Sequence, residues 1–212
     1  MSLESSEGGP EQTAPRSGGQ RRRLLDDPRA IRALAHPTRL ALQSIIGRSG
    51  QITAAAAARE LGISHALTVH HLRQLAKYGF VEQIEGADNR EKPWRMTHTS
   101  YDVEGIDGTP GGADALAVLE QVSAESALEE LGRWQELRAS WSEGWRRKTG
   151  VGRSTVYLTE QELSELVEAF EELITEYVEE RPLDEVASRP DGSRAVSMTL
   201  IVVPHAPTEA ER

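Results

Sequence analysis

Between residues 64 and 77 the sequence sets Ser64, His65, His70, Arg73 and Lys77 at helical spacing, with Ala66 and Val69 among them. Their hydroxyl, imidazole, guanidinium and ammonium groups donate hydrogen bonds to phosphate oxygens and to the acceptor edges of bases. Alanine and valine supply the small apolar contacts that meet a thymine methyl. A second basic set follows at Arg90, Lys92 and Arg95. Alone it reads as an ordinary solvated hairpin. Directly after the first set it reads as a phosphate-contacting one.

Little other chemistry is encoded. The chain has no cysteine, which excludes disulfides, thiolate metal sites and a cysteine nucleophile. Its six histidines stand at 36, 65, 70, 71, 98 and 205. The adjacent pair His70 and His71 would point about 100° apart on a helix, a poor geometry for chelating one ion. No phosphate-binding glycine loop, nucleophile elbow or His-Glu-x-x-His occurs. Neither a metal, a cofactor nor an enzymatic activity is expected. Acidic runs such as Glu171-Glu172 and Glu179-Glu180 read as a solvated helix face.

The basic residues must be positioned by helices, and the punctuation supplies them. Asp27-Pro28 opens a first helix, with Asp as cap and Pro at its first position. His36-Pro37 ends it and starts a second. Thr53 caps an alanine-rich helix over 54–61, and Gly62-Ile63 makes a tight turn. Ser64 caps the next helix, which stops at Gly79. Two helices joined by a sharp, glycine-containing turn form a helix-turn-helix. Either Leu67 or Thr68 faces the core with Leu72 and Leu75, leaving His65, Ala66, Val69, His70 and Arg73 outward. That outward half would enter a major groove, with Thr53 and Lys77 at its margins. Residues 80–85 and 92–97 read as a hairpin, a wing, with Pro93 tolerated on an edge strand.

Four stretches in order resemble the ArsR-like winged helix-turn-helix regulators. They are Leu34-Ala35-His36-Pro37-Thr38-Arg39-Leu40, Ala58-Arg59-Glu60-Leu61-Gly62-Ile63-Ser64, the run from His71 to Glu82, and Arg90-Glu91-Lys92-Pro93-Trp94-Arg95. The last is similar to the wing of an actinobacterial branch. The resemblance covers about a third of the chain, residues 26–100. It implies homodimers that bind pseudo-palindromic operators, usually as repressors released by an effector. Two departures stand out. Members commonly carry Thr-Val-Ser after the turn, where this chain has Leu67-Thr68-Val69. Metal-sensing members place a cysteine pair on the helix before the turn, and residues 54–61 hold no ligand.

Charge is divided along the chain. Residues 21–100 carry 13 Lys+Arg against 7 Asp+Glu, and residues 101–212 carry 10 against 24. The net charge of −10 therefore hides a basic segment. Salt screens the acidic half beyond about 8 Å, so a local positive face suffices for phosphate.

The predicted architecture is mainly α with minor β: a winged helix-turn-helix, a long C-terminal helix and a small α+β lobe. Residues 1–25 read as a disordered tail, its Arg21-Arg22-Arg23 cluster either solvated or touching DNA. Residues 26–101 form the reading head. A long helix over 113–149 carries Leu131, Trp134, Leu137, Trp141 and Trp145 on one stripe. The stripe packs on the chain's own domain or forms a dimer seam, and the second is preferred. Residues 153–206 form the lobe, with strands near 156–158 and 195–203 around a Glu-rich helix opened by Thr159 and Glu162. The lobe is the expected seat of a small-molecule effector, unless it only stabilises the dimer.

The partners expected are double-stranded DNA and a second copy, with no membrane and a cytoplasmic location. No secretory segment or apolar run of roughly 18 residues is present. The competing reading is an interaction module that has lost DNA binding and recruits a partner through its acidic half.

Overall fold

A computed structural model describes residues 22–85, 92–98, 100–103, 105–183 and 185–206. The tail over 1–21, the tip of the wing and Arg90 lie outside the described residues.

The N-terminal domain, the head, begins at β1 (Arg22–Leu24), which pairs in parallel with β5 (Ser100–Asp102). Leu25, directly after β1, is buried. Residues 22–25, read with the tail from sequence, thus belong to the head. Three helices follow: α1 (Pro28–Leu34), α2 (Pro37–Ser49) and α3 (Ala54–Leu61), with the short β2 (Gln51–Ile52) before the third. The caps are those the sequence proposes. Asp27 accepts from the Arg29 amide, and Thr53 from that of Ala56. The Nδ1 of His36 accepts from the Thr38 amide at 3.1 Å.

Gly62 ends α3 in the left-handed region, at φ +66°, which favours glycine. Ser64 then caps α4 (His65–Lys77) by accepting from the Leu67 amide. The turn sets α4 across α3, whose Ala57 and Ala58 are buried. Small side chains let two helix backbones approach closely. With β3 (Val81–Gln83) and β4 (Trp94–Met96) the result is a winged helix-turn-helix within a mainly helical fold.

The sheet order is β2-β4-β3, all antiparallel. The wing's return strand is therefore the central one, not an edge as predicted. Pro93 is tolerated for a different reason. It stands just before β4, where its carbonyl still accepts from the Ile84 amide and the one donor it lacks falls at the end of the ladder.

Residues of α1, α2, α4 and the wing share one core with Phe80, Trp94, Ile106 and Ala115. The last of these lies on α5 (Gly112–Leu137), whose first turns pack on α1 and anchor the long helix to the head. A Cβ at Gly112 would collide with the Ile106 carbonyl oxygen, so glycine is needed where α5 starts.

The single helix predicted over 113–149 is interrupted. After Leu137 the chain makes a 3-10 turn at Arg138–Ser140 and restarts as α6 (Glu143–Lys148). The Ser140 hydroxyl donates to the Leu137 carbonyl at 2.7 Å and the Trp141 amide to that of Arg138, satisfying carbonyls at the helix end. Next comes α7 (Glu160–Glu180), opened by the predicted capping box of Thr159 and Glu162. Hydrogen bonding to Thr159 holds the Glu162 carboxyl below its usual pKa. The strands expected at 156–158 and 195–203 are not built. Both stretches lack a ladder partner among the described residues, and a strand exists only when paired.

Candidate nucleic-acid interface

The two sides of α4 differ sharply. Thr68, His71, Leu72 and Leu75 are buried against the core. His65, Ala66, His70, Arg73 and Lys77 are exposed, and Val69 is half-buried beside them. The open choice between Leu67 and Thr68 resolves clearly: Thr68 is 0% exposed and Leu67 43%. A hydroxyl can occupy the core because Thr68 Oγ1 donates to the Ser64 carbonyl at 3.0 Å within the helix. Leu67 consequently joins the outward face, which sequence reasoning left undecided.

Thr53 and Ser64 already spend one oxygen lone pair each on a helix cap, yet each hydroxyl keeps its proton for another acceptor. Lys77 is exposed, with its ammonium over the Tyr78 ring at 5.5 Å. On the wing, Lys92 is exposed. Arg95 donates from Nε to Glu82 at 2.8 Å, its register partner on β3. The pair is nearly half exposed, so water screens it and the Arg95 fork retains further donors. Arg90 falls outside the described residues.

Behind α4 lies a cluster that the sequence did not announce. The rings of His36 and His71 lie tilted with centroids 4.6 Å apart, and His70 meets His71 edge-on at 5.4 Å. Burial, then the Arg39 guanidinium and the His70 ring, push the His36 pKa down. Burial, then His36, His70 and Arg39, do the same to His71. Burial also lowers Arg39, whose Nε is enclosed without a hydrogen-bond partner. The two histidine rings thus wedge α2 against α4.

Arg23 also differs from expectation. It neither floats in solvent nor extends as an arm. Its guanidinium donates to the carbonyls of Tyr78 and Gly79 and lies 5.2 Å from the centre of the Phe80 ring. Only the three-residue pairing of β1 with β5 brings it there, and no local signal marks that pairing.

Of the stripe residues, Leu131, Trp134, Trp141 and Trp145 line one groove of about 540 Å³, while Leu137 stands exposed outside it. Residues of the 194–201 stretch form the groove's other wall. Among the described residues, no group of three or more His, Asp or Glu is arranged to hold a metal ion. No described helix is long and apolar enough to cross a membrane.

Residues 34–84 match the model of a family described as a helix-turn-helix domain. This match spans both helices of the motif and the first wing strand. No curated protein matches the chain. Among solved structures, a mutant of Lactococcus lactis ZitR is 18% identical, with a TM-score of 0.28, covering 63% of this chain and 73% of that one. The reduced form of MarR from E. coli is 16% identical, with a TM-score of 0.28 and coverages of 65% and 75%. A MarR mutant complexed with operator DNA is 17% identical, with a TM-score of 0.27 and coverages of 69% and 84%. Similarity at this level sets no constraint on function.

Proposed function

We propose that the chain is a sequence-specific DNA-binding regulator of transcription, a homodimeric repressor of the ArsR-like kind that acts on a pseudo-palindromic operator. The observation that carries this reading is the outward face of α4. That face is capped at its N-terminus by Ser64, exposed to solvent and furnished with His65, His70 and Arg73, while the other side of the helix is locked into the core. A major groove admits one helix presented in this way. Ala66, Leu67 and Val69 then serve as methyl contacts, and Lys77, Lys92, Arg95 and Arg90 neutralise phosphates and fix register. Thr53 and Ser64 offer hydroxyl protons at the rim.

Leu131, Trp134, Leu137, Trp141 and Trp145 serve the dimer. A small-molecule effector, acting through the C-terminal half, releases the DNA. The domain plan is a tail, a reading head, the α5–α6 connector and a C-terminal lobe. The cell compartment is the cytoplasm, where the DNA lies.

Selecting bound fragments from genomic DNA tests the proposal. It expects a two-fold symmetric site with half-sites about one helical turn apart. Recovery of fragments without a shared motif would contradict it.

A further inference from the structure

The head buries its apolar side chains and the C-terminal stretch does not. Tyr157 is 89% exposed and Ile201 68%, and Val196, Met198 and Val203 are each more than half exposed. The helix α7 turns Leu166, Leu173 and Tyr177 to solvent on its apolar side. A monomer rarely leaves an apolar surface of this extent uncovered.

The backbone makes the same demand. Among the described residues, no backbone hydrogen bond is made by the amides from 195 to 203. Yet this stretch reads Ala-Val-Ser-Met-Thr-Leu-Ile-Val-Val, with Val196, Met198, Leu200 and Val202 on one apolar face and Ser197 and Thr199 on the other, a pattern that suits a strand paired at its edge and covered on one side. One side already forms a wall of the tryptophan groove. A partner strand is what is missing.

Charge identifies the partner. Arg146, Lys148 and Arg153, with Arg147 ion-paired to Glu143, precede the first unpaired stretch in sequence, and α7 carries nine glutamates between 160 and 180. Two copies related by a two-fold axis set each basic cluster against the other's acidic helix, an isologous and self-complementary contact. The stretch over 150–206 supplies the roughly 20–30 residues a side of a stable interface.

We infer that a second copy of this chain covers the tryptophan groove and pairs its backbone with residues 195–203, so that the C-terminal lobe is completed only in the dimer. The inference rests on the homodimer reading and goes further, because it makes the sheet of the lobe intermolecular.

Light scattering and amide hydrogen exchange on the full chain test it. At micromolar concentration the dimer mass is expected, with amides from 195 to 203 exchanging at least tenfold slower than after dilution to monomer. Thr199→Pro removes a ladder donor, and Leu200→Glu places a charge on the apolar face. Each should weaken self-association at least tenfold while leaving the helical circular dichroism of the head unchanged. A monomeric wild-type chain would overturn the inference. So would a dimer whose 195–203 amides exchange freely, or one that both variants leave intact. Salt-dependent DNA binding by a monomer would sink this inference alone. A protected dimer without DNA binding would sink only the regulator reading.

Discussion

Arg23 donates a hydrogen bond to the carbonyl oxygen of Tyr78 at 2.6 Å, joining the first strand of the head to the C-terminus of α4. A cation there meets the negative end of the helix dipole as well as a carbonyl that lacks an intrahelical donor. Arg23→Ala is expected to lower stability by about 1.5–3 kcal/mol, the range for a hydrogen bond that involves a charged group. Arg23→Lys should recover only part, since one ammonium does not reproduce the fork that reaches both Tyr78 and Gly79. Urea denaturation of the three proteins checks the order.

Arg73 is the outward side chain best suited to bidentate base contact. Arg73→Ala should cost about 1–3 kcal/mol of operator affinity and relax discrimination at one base position. Lys77→Ala should instead weaken binding to all sequences and reduce the salt slope by about 0.9. Fluorescence anisotropy on matched and scrambled duplexes separates the two. Unchanged affinity in both variants would mean that α4 is not the reading element.

The histidine wedge makes stability depend on pH. In the unfolded chain His36 and His71 titrate near 6.5, and in the fold both lie lower. Below 6.5 the unfolded state therefore binds more protons. The stability these residues give is complete above pH 6.5 and is lost as pH falls through their folded values. Protonation of His36 also removes the Nδ1 lone pair that caps α2. Urea midpoints measured from pH 7.5 to 5 should decline, and His71→Leu should flatten the decline. A flat wild-type profile would contradict the wedge.

Arg189 fastens the end of the chain to the head. Its guanidinium donates to the Arg48 carbonyl at 2.8 Å and the Leu183 carbonyl at 2.9 Å. Leu183 itself lies over Gly47 of α2. Arg48 in turn pairs with Glu60 on α3, the first helix of the motif. Arg189→Ala should speed tryptic cleavage after Arg194 severalfold while leaving the thermal unfolding of the head nearly unchanged. Equal cleavage rates would show that the contact does not fasten the segment.

The helix starts were legible because each is written locally, as Asp27-Pro28, Thr53, Ser64 or Thr159 with Glu162. The outward set on α4 was legible for the same reason, since helical spacing alone sorts it. What escaped depends on distant partners. Strands β1 and β5 are three residues each and exist only through one another. The pairing of Arg95 with Glu82 follows from the wing's register, and the burial of Thr68 over Leu67 from how α4 packs. The break after Leu137 hinges on side-chain and backbone bonds at Ser140 and Trp141, which an apolar stripe of threes and fours does not reveal.

The central claim is that α4 and the wing hold DNA, and a salt titration of binding to duplex DNA tests it most directly. The logarithm of the binding constant should fall linearly with the logarithm of salt concentration, with a slope of about −0.9 for each phosphate neutralised. Binding that ignores ionic strength, or no binding at low salt, would contradict it.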